Sequence, residues 1–278
     1  MRYAGCSEYI VAVTNTLLSD KNPLLKEIRR AAARGELTSG GGVTDGLAVA
    51  EGFYLLEEAL GSRREIPVVI AAENVLATVA THLRGLKRTR VVAVSEAAFT
   101  NLATTEVPQG VIALVRPPQW TLDQLVRGKP LVVVLDAVQD PGNAGAIVRA
   151  AEAFGATGVA LLKGSVNPYN PKCLRASAGS MFRLPVVAGI DESLLAAAFE
   201  QKRVALYAAM PRAERSIAEV DFTGACAIVI GSEGHGVSKR IEKKAIGVRI
   251  PTSGVESLNA AVAAGVLLYE AQRQRALR

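Results

Sequence analysis

The chain is poor in cysteine, and what it has cannot build a framework. Its 278 residues include three cysteines, Cys6, Cys173 and Cys226. They are odd in number and far apart, and no His or Cys stands beside them in metal-finger spacing, so they read as buried or incidental thiols and no metal site is expected. Long apolar runs are missing as well: no stretch approaches the roughly 18–20 residues that cross a membrane, and no membrane partner is expected. Met1 to Ala12 has none of the basic start, apolar core and small-residue cleavage site of a secretory leader, which puts the protein in the cytoplasm as an expectation. Gly40-Gly41-Gly42 is no phosphate loop, because a strand before it and a Lys-Ser/Thr after it are both absent. Internal repeats and low-complexity segments are absent too.

What remains is a globular composition, with 50% hydrophobic and 21% charged residues. The length suits two domains, each with its own core. The net charge of +6 points weakly to a polyanionic partner. Nearly all of that basic excess lies in the second part of the chain.

Residues 1–118 predict a small α/β layer domain. Asn22 to Arg34 reads as an amphipathic helix with Leu24, Leu25, Ile28 and Ala32 on one side and cations, Arg29 and Arg30 among them, on the other. Those cations suit a solvated face as well as an RNA contact. Leu37 to Gly46 reads as a mobile loop. Leu47 to Leu60 predicts a short strand that turns into a helix after Glu51-Gly52. Strands at Val68–Ala71, Val91–Val94 and Gly110–Val115 then alternate with helices at Val75–Arg84 and Glu96–Leu102. Pro117-Pro118 opens a linker over 119–128, with a weak helix at Leu122–Val126.

Residues 129–278 predict a second, parallel α/β sheet. Leu131 to Leu135 is too short for an autonomous helix and rich in β-branched residues, which suits a buried parallel strand. A turn over Asp136 to Gly145 leads into a helix with Ile147, Ala150, Ala151 and Phe154 on one face. Gly155 stops it, and Gly158–Leu162 is a second strand. An irregular loop, Lys163 to Pro171, precedes a helix at Lys172–Met181. Further strands are expected at Val186–Val187, Arg203–Ala208, Ala225–Ile230 and Val248–Ile250, with helices at Glu192–Gln201 and Leu258–Arg273.

Three loops of this second sheet share one grammar: a buried strand, then Gly or Pro with polar residues, then a helix. They are Asp140 to Arg149, Gly231 to Gly236, and Ile250-Pro251 through Ser257-Leu258-Asn259. In a parallel sheet all three fall on one edge, where ligands usually bind. Each has a plain structural reading beside this one. The glycines of 231–236 suit a turn with positive φ, Glu233 a helix cap or a lysine partner, Ser257 an N-cap, and Arg149 a surface ion pair.

Taken together, Asp140-Pro141-Gly142-Asn143-Ala144-Gly145 with Arg149, Ile230-Gly231-Ser232-Glu233-Gly234 with Gly236, and Ile250-Pro251 with Ser257-Leu258-Asn259 resemble the motifs of the SpoU/TrmH family of RNA 2'-O-ribose methyltransferases. Asn22-Pro23, Val49-Ala50-Glu51-Gly52 and Pro108-Gln109-Gly110-Val111 are similar to that family's N-terminal substrate-binding domain. The resemblance implies a C-terminal SPOUT domain with a trefoil knot, S-adenosylmethionine as cofactor, and homodimerisation through the C-terminal domain. It implies backbone contacts to the cofactor from Gly231, Ile250 and Leu258, with Ala209, Met210 and Gly236 beside them. Arg149 matches the family's catalytic arginine. A guanidinium stays protonated, so orienting the hydroxyl and stabilising alkoxide charge is the role preferred here over that of a base. Asn143, Glu233, Ser257 and Asn259 would position Arg149, the ribose and the loops, and Lys172 and Arg175 would meet RNA phosphates. Ribosomal RNA is the leading substrate, with transfer RNA or an antibiotic-resistance ribosomal methyltransferase as alternatives. A non-catalytic RNA-binding protein is the alternative of another class. A nicotinamide enzyme would need G-x-G-x-x-G after Leu135, which Gly142-Asn143-Ala144-Gly145 does not supply.

Overall fold

The computed structural model describes residues 12–14, 21–86 and 88–277, and Cys6 lies outside them. The chain divides into two compact units, one running to Pro118 and taking in Tyr169–Pro171, the other holding Gln119–Pro168 and Lys172–Arg278.

The first unit contains strands β1 (Ala12–Thr14), β2 (Ala48–Glu51), β3 (Val68–Ala72), β4 (Arg90–Val94) and β5 (Val111–Val115), and helices α1 (Pro23–Arg34), α2 (Phe53–Gly61), α3 (Leu76–His82) and α4 (Glu96–Thr100). The strand order is β1-β4-β3-β5-β2. Leu25 and Ile28 of α1 and Phe99 of α4 bury themselves in one core with Val49, Ile70, Val92, Ile112 and Leu114 of the sheet. Asn22 caps α1, accepting the Leu24 N–H at 2.9 Å, and Pro23 occupies the first turn, where it sacrifices no helical bond. This sheet is mixed: β5 runs antiparallel to both β2 and β3. The 104–111 segment explains the direction. Buried Glu51, at the end of β2, accepts the Thr104 N–H at 2.8 Å, and Ala72, at the end of β3, donates to Gly110 O at 2.8 Å. β5 therefore starts where its neighbours finish.

The second unit has seven strands, β6 (Leu131–Asp136), β7 (Gly158–Leu162), β8 (Val186–Ile190), β9 (Ala205–Ala209), β10 (Arg215–Ser216), β11 (Cys226–Gly231) and β12 (Ile246–Arg249). They lie in the order β10-β12-β9-β11-β6-β7-β8, every pair parallel, so all seven carboxyl ends share one edge. Helices α5 (Leu122–Leu125), α6 (Pro141–Ala153), α7 (Pro171–Ser177), α8 (Ser180–Arg183), α9 (Glu192–Gln201), α10 (Lys239–Glu242) and α11 (Ala260–Ala276) surround it. Leu125, Leu195, Phe199 and Ile241 cover one face, packed on Val132, Val134, Ala160 and Val229. The longest helix, α11, packs on α6 and β11.

Four expectations need correction. The linker over 119–128 is not free chain, because Leu125 and Val126 are buried in the second unit's core and Thr157 donates to Leu125 O at 2.6 Å. The helix expected over 172–181 is broken into α7 and α8, where Ala178 and Gly179 take φ of 47° and 82°. The buried face of α6 is Ala144, Ile147, Val148 and Ala151, while Ala150 and Phe154 are half-buried. The last helix starts at Ala260 rather than Leu258, because Asn259 provides its cap.

Candidate active site

Strand register brings the three glycine- and proline-containing loops to one level. Gly231 pairs with Asp136, Val229 with Ala208, and Val248 with Ala209. Gly231, Met210 and Ile250 thus leave the sheet within about one residue of each other, and the segments after β6, β11 and β12 meet over that edge.

Side chains lock these segments together. Asn259 accepts the N–H groups of Ala261 and Val262 through Oδ1, at 2.9 and 3.3 Å, and so caps α11. That cap turns its Nδ2 outward, where it donates to Asn143 Oδ1 at 3.0 Å. Asn143 must then present Nδ2 on its other side, and it donates to Glu233 Oε1. The flip of each amide is fixed by its neighbour, because only one assignment leaves every donor facing an acceptor. Among the described residues Glu233 neither caps a helix nor pairs with a lysine. Asp140 caps α6, accepting the Asn143 N–H at 2.7 Å, and Lys172 reaches its other oxygen at 3.1 Å. Those bonds hold the Asp140 carboxyl below its usual range, the Asn143 N–H contributing most.

Arg149 stands in α6 six residues beyond Asn143, exposed, and has no hydrogen-bond or ionic partner among the described residues. The surface ion pair that its plain reading requires is thus not formed. Ser257 is exposed and caps nothing, since the N-cap of α11 is Asn259. Ala209, Met210, Ile250 and Leu258 are half-buried along the edge, and Arg175 is half-buried in α7. The 231–236 turn closes on itself: Ser232 and Gly236 exchange backbone bonds of 3.1 and 2.8 Å, with Gly236 at φ 67°. A Cβ on Gly231 would lie 2.1 Å from the Gly236 carbonyl carbon, so only glycine fits there. Arg29 and Arg30 belong to the other unit, where Arg29 donates to Asn101 O at 3.0 Å and Arg30 bonds Glu27 and Ser39. Sequence reasoning passed over Asp136 and Ser238, which are joined at 2.6 Å across this edge.

Residues 130–269 match the SpoU rRNA Methylase family, and residues 43–113 match the MRM3-like substrate binding domain. The chain belongs to the SpoU rRNA methylase family. A tRNA/rRNA methyltransferase of Synechocystis sp., itself described as uncharacterized, is 34% identical, with 94% of this chain and 94% of that protein covered. The 23S rRNA (guanosine(2553)-2'-O)-methyltransferase RlmP of Bacillus subtilis is 31% identical, covering 90% of this chain and 96% of its own. Among solved structures, the SpoU methyltransferase AviRb of Streptomyces viridochromogenes, in complex with AdoMet, superposes with a TM-score of 0.82 at 28% identity, over 92% of this chain and 99% of that one. The edge of this SpoU-family chain fits such a cofactor. Half-buried Ala209, Met210, Ile250 and Leu258 offer apolar surface to an adenosyl group, and among the described residues no bond engages the N–H of Ile250 or Leu258.

Proposed function

We propose that this chain transfers the methyl group of S-adenosylmethionine to a ribose 2'-hydroxyl of RNA, with ribosomal RNA as its substrate. The observation that carries the reading is the Glu233–Asn143–Asn259 relay, which ties three motif loops together at one sheet edge, with partnerless Arg149 on the same helix as Asn143. S-adenosylmethionine, when bound, supplies a methyl group already electrophilic on a sulfonium, so no metal is needed. The protein's task is alignment and charge. Gly231, Gly236, Ile250 and Leu258 hold the cofactor through backbone groups, and Ala209 and Met210 border it. Arg149 orients the 2'-hydroxyl and stabilises negative charge as it develops on the oxygen. Asn143, Glu233 and Asn259 keep the loops in register, and exposed Ser257 reaches the ribose.

Lys172 and Arg175 meet RNA phosphates near the reacting ribose. The unit up to residue 118 is a substrate-binding domain in which Arg29 and Arg30 face RNA, and residues 129–278 form the methyltransferase domain with its knotted C-terminal segment. A second copy pairs through the C-terminal domain to give a homodimer. Val262, Val266 and Tyr269, 52%, 38% and 55% exposed at helical spacing on α11, support that contact. The chain works on RNA in the cytoplasm; among the described residues no helix is long and apolar enough to cross a membrane.

The test is transfer of labelled methyl from S-adenosylmethionine to ribosomal RNA fragments, with transfer RNA as a parallel arm. Arg149→Ala should abolish transfer while leaving thermal unfolding unchanged, because Arg149 supports nothing in the fold. An active Arg149→Ala protein removes that residue from the mechanism. Transfer to transfer RNA alone overturns the choice of substrate, and a chain that binds RNA without binding S-adenosylmethionine is a non-catalytic RNA-binding protein.

A further inference from the structure

Asp136 ends β6, is only 7% exposed, and has no part in the chemistry described above. A carboxylate held away from water requires a donor. This one accepts the backbone N–H of Ser238 at 2.6 Å, at the short end of the range for a bond to a charged acceptor. Ser238 is where the 231–238 loop ends. The loop begins at Gly231, which pairs with Asp136 in the ladder between β11 and β6. Asp136 thus stands level with the first residue of the loop and holds the last one by its side chain.

Asp136 is itself fixed. The next residue, Ala137, has φ of 56°, a left-handed conformation that a non-glycine residue keeps only where its surroundings impose it. Those surroundings are visible: Ser165 Oγ donates to Leu135 O at 3.0 Å, and the Val166 N–H donates to Val138 O at 2.9 Å. The post is rigid on both sides. The loop it holds is not, since residues 233–236 are exposed and rely on the Ser232–Gly236 pair and the Asn143 bond to keep their shape.

We propose that Asp136 is a positioning residue for cofactor binding: by tying the last residue of the 231–238 loop back to the strand that flanks its first, it sets Gly231 and Gly236 in place before S-adenosylmethionine arrives. The inference rests on the function proposed above. Asp136 touches neither cofactor nor RNA and acts only through Ser238. Because the loop is shaped in advance, losing the clamp weakens cofactor binding more than it slows the transfer step.

Two substitutions remove the bond from opposite sides. Asp136→Ala deletes the acceptor. Ser238→Pro deletes the donor at a residue whose φ is already −62°, an angle that proline adopts. Asp136→Asn keeps an acceptor oxygen and is the conservative control. Three readouts on the full chain are compared: amide hydrogen exchange at Ser238 without cofactor, the Kd for S-adenosylmethionine by calorimetry, and kcat at saturating cofactor.

Asp136→Ala should speed Ser238 exchange with the amides of β6 and β11 unchanged, and should raise the Kd about tenfold, which is about 1.4 kcal/mol. It should lower kcat by less than about threefold. Asp136→Asn should remain near wild type. Ser238→Pro should match Asp136→Ala in Kd, and the double variant should be no worse than the worse single one, because one bond can be lost only once. Unchanged Ser238 exchange, an unchanged Kd in Asp136→Ala, or additive losses in the double variant would each overturn the clamp. If Asp136→Ala does not fold, Ser238→Pro and Asp136→Asn carry the test. A wild-type chain that fails to bind S-adenosylmethionine overturns the function proposed above instead; Ser238 exchange and the additivity of thermal unfolding then still decide whether the clamp exists.

Discussion

Replacing Asn143 by alanine should separate a loss of alignment from a loss of fold. The change breaks the bond to the Glu233 carboxylate and removes the acceptor of Asn259 Nδ2. Hydrogen bonds contribute about 0.5–1.5 kcal/mol between neutral groups and about 1.5–3 kcal/mol to charged ones. Glu233 and Asn259 are both exposed, so water replaces most of what is lost and the net cost is about 1 kcal/mol. In a unit of this size that lowers Tm by about 2–4 °C. The effect on rate is larger, because loops held by side chains alone can shift by an ångström, and misalignment of that order costs about a hundredfold. Asn143→Asp sharpens the test by setting a second carboxylate against Glu233. Adding Glu233→Gln to it reverses donor and acceptor, so the carboxylate introduced in α6 accepts from both neighbours and the net charge is restored. The double variant should regain Tm and most of kcat relative to Asn143→Asp. Differential scanning fluorimetry and labelled-methyl transfer measure both. An Asn143→Ala protein with wild-type kcat, or a double variant that regains neither quantity, refutes the relay as the source of alignment.

Two further outcomes follow from the geometry. Gly231→Ala would drive a Cβ to 2.1 Å from the Gly236 carbonyl carbon and 2.3 Å from the Val237 nitrogen, whereas Gly234→Ala meets nothing within 4 Å. The first should cost about 1–3 kcal/mol and abolish S-adenosylmethionine binding by calorimetry, and the second should change neither. In the first unit, His82 Nδ1 faces Thr78 O at 2.8 Å and Nε2 faces Glu57 Oε1 at 2.9 Å, so both nitrogens meet acceptors, which favours the doubly protonated ring. The Thr78 carbonyl first, then Glu57, raise its pKa above 6.5. A raised folded pKa gives stability that is complete below the unfolded value and is lost as pH rises through the folded one. His82→Gln should remove that slope, measured by thermal unfolding between about pH 6 and 8, with a total effect below about 1 kcal/mol for so exposed a pair.

Where local signals agreed, the sequence was read almost to the residue. Both α9 over Glu192–Gln201 and β7 over Gly158–Leu162 form over their expected spans, because apolar periodicity and turn residues agree at each end. The single edge shared by three loops was legible for a topological reason, since parallel strands all finish on the same side. The direction of β5 was not, because alternation of strands and helices says nothing about which end of β2 the 104–111 segment grips. The break at Ala178 was masked because alanine favours helix, although Gly179 beside it, at φ of 82°, is a residue that interrupts one. Ser257 and Asn259 are both good N-caps, and only the position of Asn143 decides between them. The Asp136 clamp was hidden for a similar reason: an aspartate closing an apolar strand looks like a turn residue until Ser238, far along the chain, is seen against it.

The charges along the edge divide according to what each side must bind. Glu233 is held by Asn143, a neutral donor, so its negative charge is not cancelled by a cation in the relay. It stands two residues from Gly231, which the proposed function assigns to the cofactor, and bound S-adenosylmethionine would bring a positive sulfonium to this edge. Arg149, without an ionic partner among the described residues, would supply the opposite sign in the proposed mechanism, for the oxygen that becomes negative during transfer. Asp140 and Lys172 form an ion pair and add no net charge between them. Glu233→Gln keeps an oxygen for Asn143 and removes only the charge. If the charge acts on the sulfonium, this variant should lose affinity for S-adenosylmethionine by about two- to fivefold, as expected of an exposed charge, and lose little for S-adenosylhomocysteine, the uncharged product. Calorimetry with both ligands at low and high salt decides, since a coulombic effect shrinks as salt rises. Equal losses for the two ligands would mean that the charge of Glu233 does not act on the sulfonium.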